Sequence, residues 1–183
     1  MTYECIRFRD KRRKQIHGDL EVWLKSADKL YSRFYDRLDD SPFDYHEVAG
    51  VGFLASAAAL AGYLPLNEYD VIKRGKFDKR TKVPGRADLW FDAGKRCYSF
   101  EFKRTKRPET VNYLNQRLGT AFDDVKCVGN DEHDFSAACL VTVPREEKRI
   151  AICERFAKED YVDFAFRIGP PEVQAYLFFQ FKD

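Results

Sequence analysis

The sequence predicts an α/β protein in which a central mixed β-sheet is flanked by helices. Two N-terminal segments carry apolar residues at steps of three and four, which is typical of amphipathic or buried helices. From Glu68 onward, short apolar runs separated by charged or glycine-containing turns indicate strands. The resulting order is helix, helix, three strands, helix and strand, followed by a C-terminal helix and a β-hairpin, which favours one layered α/β unit.

Length and composition set the outer limits. The chain has 183 residues, of which 44% are hydrophobic, and this is enough to bury the core of one domain spanning residues 1–183. No segment approaches the roughly 20 uninterrupted apolar residues of a membrane span. The first five residues also lack the pattern of an export signal. We therefore expect a soluble, cytoplasmic protein without a membrane partner.

The cysteines and histidines do not have the sequence spacing of zinc ligands. The five cysteines are odd in number, widely spaced and contain no CxxC pair, so we expect reduced thiols, several of them in the core. His17, His46 and His133 lie far apart in the sequence. Each is expected to be a surface or helix-capping residue, and a histidine-based metal site is not predicted.

The first helix is predicted over residues 18–38, where Leu20, Trp23, Leu24 and Ala27 begin an amphipathic stripe. A second helix is predicted over residues 41–63, because Ser41 and Pro42 resemble a capping residue followed by proline at the first helical position. Its middle is apolar on nearly all sides, so we expect it to be largely buried.

The remaining elements follow from shorter patterns. Strands are predicted over residues 69–73, 86–91 and 96–103, with a tight hairpin turn at Gly94 between the last two. A helix over 108–125 precedes an unbroken apolar run at 137–143, which is typical of a strand buried on both faces. The C-terminal addition is a helix over 146–158 and two aromatic strands over 161–168 and 173–181.

The segment that carries chemistry is the predicted strand ending at Lys103. Side chains two residues apart on a strand share a face, so Glu101 and Lys103 project together while Phe100 and Phe102 project into the core on the other side. Burying an uncompensated charge costs several kcal/mol. A charged pair inside an apolar strand therefore needs a metal ion, a counter-charge or solvent beside it.

Asp88 lies on the neighbouring hairpin strand, from which it can approach Glu101 across an antiparallel pair. Two carboxylates held together repel each other unless a cation lies between them, and hard oxygen ligands suit Mg²⁺ or Mn²⁺. Lys103 adds a positive charge beside this position. Phosphodiester hydrolysis needs an activated water and stabilisation of extra charge on phosphate, which a metal ion and a lysine supply together.

These residues resemble the motif of the PD-(D/E)xK nuclease superfamily. Pro84 and Asp88 are similar to the PD element, although three residues separate them here, and Glu101-Phe102-Lys103 matches the (D/E)xK element inside an apolar strand. The resemblance implies a restriction-endonuclease-like αβββαβ core over about residues 41–143. It also implies that Asp88 and Glu101 are metal ligands and that Lys103 is catalytic.

Many members of the family also carry a glutamate on the helix before the sheet, and Glu47 lies where that residue would fall. By this resemblance Glu47 is an additional catalytic residue and metal or water ligand. The alternative is that Glu47 is a first-turn acid that complements the helix dipole. For Glu101 and Lys103 the alternative is an exposed strand face with a cross-strand salt bridge.

The triplet alone is not specific in a chain with 34% charged residues. Asp124-Val125-Lys126 and Glu146-Glu147-Lys148 also fit it. The first lies at the end of a predicted helix and the second at a helix start. Only the triplet at Glu101 ends an apolar strand with an aspartate at hairpin distance upstream.

Basic residues cluster on both sides of this segment although the net charge is only +2. In a nuclease they would contact DNA phosphates beside the site. The alternative is an ordinary solvated loop. The residues predicted to bind nucleic acid are Lys73, Lys76, Lys79, Arg80, Arg104 and Arg107.

Three functional hypotheses follow. The first is a Mg²⁺- or Mn²⁺-dependent nuclease that hydrolyses DNA phosphodiester bonds, as a monomer or a homodimer. The second is a non-cleaving nucleic-acid-binding or protein-interaction module on a nuclease-like fold. The third is an α/β protein without a site, in which the C-terminal aromatic strands form a protein-binding surface.

Overall fold

The computed structural model describes residues 2–10, 13–74, 81–129 and 133–182. Within these ranges, seven strands form one mixed sheet that helices flank on both faces. The helices are α1 (Lys14–Leu38), α2 (Glu47–Leu60), α3 (Val111–Cys127) and α4 (Glu147–Phe156). The strands are β1 (Glu4–Phe8), β2 (Leu64–Arg74), β3 (Lys82–Asp92), β4 (Cys97–Thr105), β5 (Phe135–Thr142), β6 (Phe164–Ile168) and β7 (Ala175–Phe181).

The strand order across the sheet is β1-β6-β7-β5-β4-β3-β2. Only β4 and β5 pair in parallel among these neighbours, and the other pairs are antiparallel. A parallel pair needs a crossover connection, which α3 provides between β4 and β5. The predicted α/β class with a mixed sheet between helices is therefore confirmed.

The two faces of the sheet bury separate apolar clusters. Helices α1 and α2 cover one face, and α3 and α4 cover the other. Strand β5 shows the division directly, because Cys139 and Val141 belong to the first cluster while Ala138 and Leu140 belong to the second. Such alternation follows from the two-residue period of a strand, and burial on both faces matches the prediction for residues 137–143.

Helix α1 packs on the sheet through the predicted stripe. Trp23 and Leu24 are fully buried, and the Trp23 indole Nε1 donates to the Leu54 carbonyl of α2 at 2.8 Å. Asp28 is also fully buried, where its carboxylate accepts from the Gly169 amide at 2.8 Å and from the Thr2 hydroxyl at 3.0 Å. This buried acid joins the start of the chain to the turn between β6 and β7.

The predicted start of the second helix at residue 41 is wrong. Instead, Ser41 accepts from the Phe43 amide at 3.2 Å and hydrogen-bonds to the Tyr31 hydroxyl, which holds a turn at this position. Helix α2 begins at Glu47, and its N-cap is His46, whose ring Nδ1 accepts from the Ala49 amide at 3.2 Å. The later start places Glu47 on the first turn, where its carboxylate can reach the strands.

The edges of the sheet differ from the prediction in two places. Strand β1 was not predicted, because its five residues are only partly buried and carry a weak alternation. The C-terminal hairpin was predicted as an addition to the core, but β7 pairs with β5 and β6 pairs with β1. The hairpin is therefore an integral part of the central sheet.

The hairpin of β2 and β3 extends beyond the sheet as an arm. Pairing of β3 with β4 ends at Leu89 and Phe100, whereas β2 and β3 stay paired as far as Arg74 and Lys82. The arm reaches the end of α3, where the Gly129 amide donates to the Ile72 carbonyl at 3.4 Å. The separation of β3 from β4 opens the gap in which the candidate site lies.

Two further observations concern the whole described chain. All five cysteines are free thiols, and Cys139 and Cys153 are buried. Among the described residues, no helix has the length and apolar character that crossing a membrane requires.

Candidate active site

The site is built on the edge of β4 that β3 leaves exposed. The β3–β4 register would pair Asp88 with Glu101 next after Leu89 and Phe100, but the ladder stops there. Instead, the Asp88 carboxylate turns toward β4, and its Oδ2 accepts from the Phe102 amide at 2.6 Å. A side-chain oxygen thus replaces the carbonyl that a paired strand would offer.

Further along β4, side chains again take the place of hydrogen-bonding groups from a neighbouring strand. Glu47 Oε2 accepts from the Arg104 amide at 2.7 Å, and Lys103 Nζ donates to the Phe102 carbonyl at 2.9 Å. Arg117 from α3 donates to the Arg104 carbonyl at 3.1 Å. Four side chains from four elements therefore satisfy backbone groups of β4 on the edge from which β3 has separated, while β5 stays paired on the other edge.

Glu101 is the most deeply buried acid of this group, with only 3% of the residue exposed. Its Oε1 accepts from Lys73 Nζ at 2.7 Å. Burial raises the pKa of Glu101 to about 7, although the hydrogen bond from Lys73 acts in the opposite direction. Negative charge on Asp88 and Asp124 adds to the increase.

Asp88 is affected in a similar way. Burial is the main cause that raises its pKa, while the hydrogen bond from the Phe102 amide and the charge of Lys103 lower it. Burial thus raises the pKa of both the buried Glu101 and the half-buried Asp88, and such perturbed carboxyl groups are enriched at functional sites. They indicate a position at which additional positive charge would be favourable.

Lys103 connects the two sides of the site. Its Nζ lies 3.6 Å from Glu47 Oε1 on α2 and 4.0 Å from Asp124 Oδ2 on α3. Phe100 and Phe102 are buried on the opposite face of β4, as the strand parity predicted. The structure thus brings Glu47, Asp88, Glu101 and Lys103 together through direct contacts or electrostatic proximity.

Lys73 reaches Glu101 from the β2–β3 arm across Gly85. A Cβ atom at position 85 would lie 2.8 Å from Cδ of Lys73, which is closer than such atoms approach in proteins, and 3.0 Å from Cγ, which is a tight contact. The lysine chain therefore depends on the absence of a side chain at Gly85. In the sequence, this glycine follows Pro84 in the segment that leads to Asp88.

Two members of the group were not predicted in these positions. Lys73 was assigned to a DNA-binding surface, yet only 19% of its side chain is exposed and it is paired with Glu101. Asp124 was set aside as part of a chance match to the motif. A usable signal was present in α3, because Arg117 and Asp124 are seven residues apart and so lie on one side of the helix.

The proposed basic surface is only partly described. Lys76, Lys79 and Arg80 lie outside the described residues. Arg107 is exposed, and its contact with a phosphate stays a prediction. The Arg104 side chain is only 13% exposed, and its Nη2 lies 3.9 Å from Asp44 Oδ1. Burial lowers the pKa of Arg104.

Two acids of this site carry the oxygen donors that divalent cations such as Mg²⁺ prefer. Within the described part of the chain, no cluster of three or more histidine, cysteine, aspartate or glutamate side chains is arranged to hold a metal ion. Asp88 and Glu101 nevertheless each use one carboxylate oxygen in the hydrogen bonds above. Mg²⁺ is usually held by one or two carboxylates, with water and substrate phosphate completing the coordination. The carboxylates of Asp88 and Glu101 are ligands of this kind, and each now accepts a hydrogen bond with which a metal ion would compete.

The larger of two cavities does not lie beside Asp88 and Glu101. Glu47 and Asp88 line one small pocket together with Asn67 and Glu68. A larger cavity lies elsewhere and includes Arg9, Arg13 and Asp163. Both arginines there are ion-paired with Asp163, at 3.9 and 3.4 Å. We place the candidate site beside the smaller pocket, because Glu47 and Asp88 line it and the charge of Asp88 acts on the buried Glu101.

Comparison of the chain with protein-family models, with curated proteins and with solved structures gives no significant match.

Proposed function

We propose that this protein is a metal-dependent nuclease that hydrolyses DNA phosphodiester bonds. The observation that carries the proposal is the meeting of Asp88, Glu101 and Lys103 where β3 separates from β4, with both carboxyl pKa values raised by burial. A buried and a half-buried carboxyl group beside a lysine are suited to metal-dependent phosphoryl transfer.

Asp88 and Glu101 would hold Mg²⁺ or Mn²⁺, and Glu47 would contribute to the same ion or to a water on it. When bound, the metal ion lowers the pKa of a coordinated water and stabilises negative charge on the phosphate oxygens. Glu47 would accept a hydrogen bond from the attacking water and so orient it. Lys103 Nζ, which now donates to the Phe102 carbonyl, would donate to a phosphate oxygen instead.

The overall reaction is hydrolysis of one P–O bond. A water oxygen attacks phosphorus, the bond to the leaving sugar oxygen breaks, and the proton lost by water is balanced by the proton gained by the leaving oxygen. Lys103 stabilises the extra charge on phosphate as the new bond forms. No residue forms a covalent intermediate in this scheme.

The order of elements supports the resemblance to restriction-endonuclease-like nucleases. From α2 through β2, β3, β4 and α3 to β5 the order is αβββαβ. Asp88 lies on β3, Glu101 and Lys103 lie on β4, and Glu47 begins α2. We propose that this part of the sheet is a nuclease core, to which β1, β6 and β7 add a second half.

A non-cleaving binding module is the second candidate, and one observation favours it. Asp88 and Glu47 already have structural partners in the amides of Phe102 and Arg104, and Glu101 is paired with Lys73. Each of these acids therefore stabilises the structure through a hydrogen bond that needs no metal ion. Such a protein would bind nucleic acid through exposed cations such as Lys106 and Arg107.

The deciding experiment is incubation of the purified protein with supercoiled, linear, single-stranded and branched DNA. The nuclease proposal expects cleavage with Mg²⁺ or Mn²⁺ and none with a chelator. Glu101→Gln and Asp88→Asn should abolish cleavage while retaining DNA binding, because both changes remove charge without removing volume. Asp92→Asn, at the far end of β3, is the matched control and should cleave normally.

Binding without cleavage in every divalent metal would support the second candidate. Cleavage that survives in both Glu101→Gln and Asp88→Asn would place any activity outside this site.

A further inference from the structure

Lys73 occupies the position next to Glu101 that a metal ion would share. Its Nζ lies 2.7 Å from Glu101 Oε1, and only 5% of the Glu101 side chain is exposed. An ammonium ion and a divalent cation on the same carboxylate repel each other strongly when solvent is largely excluded. Both cannot keep full contact with Glu101 at once.

We infer that Lys73 is the resident counter-ion of Glu101 and that a divalent cation must displace it, after which its ammonium group becomes a phosphate-binding group of the site. This inference rests on the proposed function, because it takes Glu101 as a metal ligand. It assigns to Lys73 a role that differs from that of a surface contact.

The placement of Lys73 supports this exchange. The residue lies on the β2–β3 arm, outside the part of β3 that pairs with β4. Its backbone forms an isolated bridge with Val128 at the end of α3, so its Cα position is held while the side chain spans the gap. Rotation about side-chain bonds can therefore move the ammonium group without any rearrangement of the sheet.

Gly85 acts as a positioning residue for this lysine. A methyl group at position 85 would contact Cδ and Cγ of Lys73, so Gly85→Ala should push the lysine chain away from Glu101 while leaving its charge in place. The structure gives no positive φ for Gly85, so alanine causes no backbone strain there. The variant thus separates the position of the ammonium group from its charge.

The test is a titration of the metal-free protein with Mn²⁺ at pH 8.5. Electron paramagnetic resonance measures the Mn²⁺ that remains free. Removing the competing cation in Lys73→Met should tighten Mn²⁺ binding, by roughly tenfold if the competition is worth one pKa unit. Gly85→Ala should tighten it less. Lys82→Met is the matched control, since Lys82 is an exposed lysine of the same arm, and it should bind like the wild type.

A second measurement, of DNA affinity, tests whether the displaced Lys73 binds phosphate. In Ca²⁺, which supports binding without requiring turnover, Lys73→Met should weaken affinity for a short DNA duplex, whereas Lys82→Met should have a smaller effect. If Mn²⁺ binding depends on Glu101 but Lys73→Met is no tighter than the wild type, the inference about Lys73 is wrong and the metal site stands. If the wild type and Glu101→Gln bind Mn²⁺ alike, Glu101 is not a ligand and both proposals fail.

Discussion

Asp88 Oδ2 accepts a hydrogen bond from the Phe102 amide at 2.6 Å, in the place where a neighbouring strand would offer a carbonyl. Asp88 therefore stabilises the fold through this hydrogen bond, in addition to any role in catalysis. Removal of Asp88 therefore has two separable effects, on the free energy of unfolding and on charge in the site. Substitutions that distinguish an acceptor from a charge can resolve them.

Asp88→Ala should lower the free energy of unfolding by about 1–3 kcal/mol, because it leaves the Phe102 amide without its acceptor. Asp88→Asn keeps a carbonyl oxygen and removes a charge that burial disfavours, so its stability should equal or exceed that of the wild type. Denaturant unfolding of both variants measures the difference. Asp70→Ala, an almost fully exposed acid on the β2–β3 arm, should change stability by less than about 0.5 kcal/mol.

Glu47 offers a matched comparison with Glu147, since both are the first residues of their helices. Glu47 also accepts from the Arg104 amide, whereas Glu147 is exposed. Glu47→Ala should lower the free energy of unfolding by about 1–3 kcal/mol. Glu147→Ala should lower it by about 0.3–1 kcal/mol through the helix dipole alone. Equal losses would mean that Glu47 is an ordinary first-turn acid.

Glu101 should make stability fall as pH rises. Its pKa of about 7 in the folded protein exceeds the ordinary value of 4.5, so between these values the folded state retains a proton that the unfolded state has lost. The stabilisation is complete below pH 4.5 and is lost as pH rises to about 7. Its size is roughly 3 kcal/mol.

Glu101→Gln removes this titration. The free energy of unfolding of the variant minus that of the wild type should therefore increase from pH 4.5 to pH 8, as measured by denaturant unfolding in buffers of constant ionic strength. A pH-independent difference would show that Glu101 has no raised pKa. Addition of Mg²⁺ above pH 7 should stabilise the wild type and leave Glu101→Gln unchanged.

Arg107 tests the basic surface with a residue that the structure describes as exposed. If Arg107 contacts a phosphate, Arg107→Ala should weaken DNA binding and reduce the slope of log K against log salt by about 0.9. Fluorescence anisotropy across a salt series gives both quantities. Lys29→Ala on α1 is the control of equal charge change. The same slope in both variants would exclude a specific contact at Arg107.

Strand period was enough to predict the faces of Glu101 and Lys103. The apolar side chains of Phe100 and Phe102 fix the orientation of β4, and parity then fixes their neighbours. The hairpin turn at Gly94, with φ of 86°, similarly follows from a residue that tolerates the left-handed region. These features depend on interactions that are local in sequence.

The pairing of Lys73 with Glu101 could not be predicted in this way. It joins residues 28 positions apart and depends on where β3 leaves β4. Glu68 adds to the difficulty, because its positive φ of 44° interrupts the regular strand geometry of β2. Parity counted along β2 therefore does not give the face on which Lys73 lies.

The start of α2 shows a competition between two capping signals. Ser41 and Pro42 resemble a helix start, but the Ser41 hydroxyl is engaged by Tyr31 from α1. His46 then supplies the cap five residues later. A tertiary contact thus decides between two local alternatives, and the position of Glu47 at the site depends on the outcome.

The exposed edge of β4 makes two backbone amides responsive to what the acids bind. The amides of Phe102 and Arg104 donate to carboxylates and not to strand carbonyls. Any ligand that draws electron density from Asp88 or Glu47 would weaken these hydrogen bonds, and the two amides would change in proton chemical shift and in rate of deuterium exchange. The amide NMR signals of these two residues, one on each side of Lys103, would thus report occupancy of the site in solution.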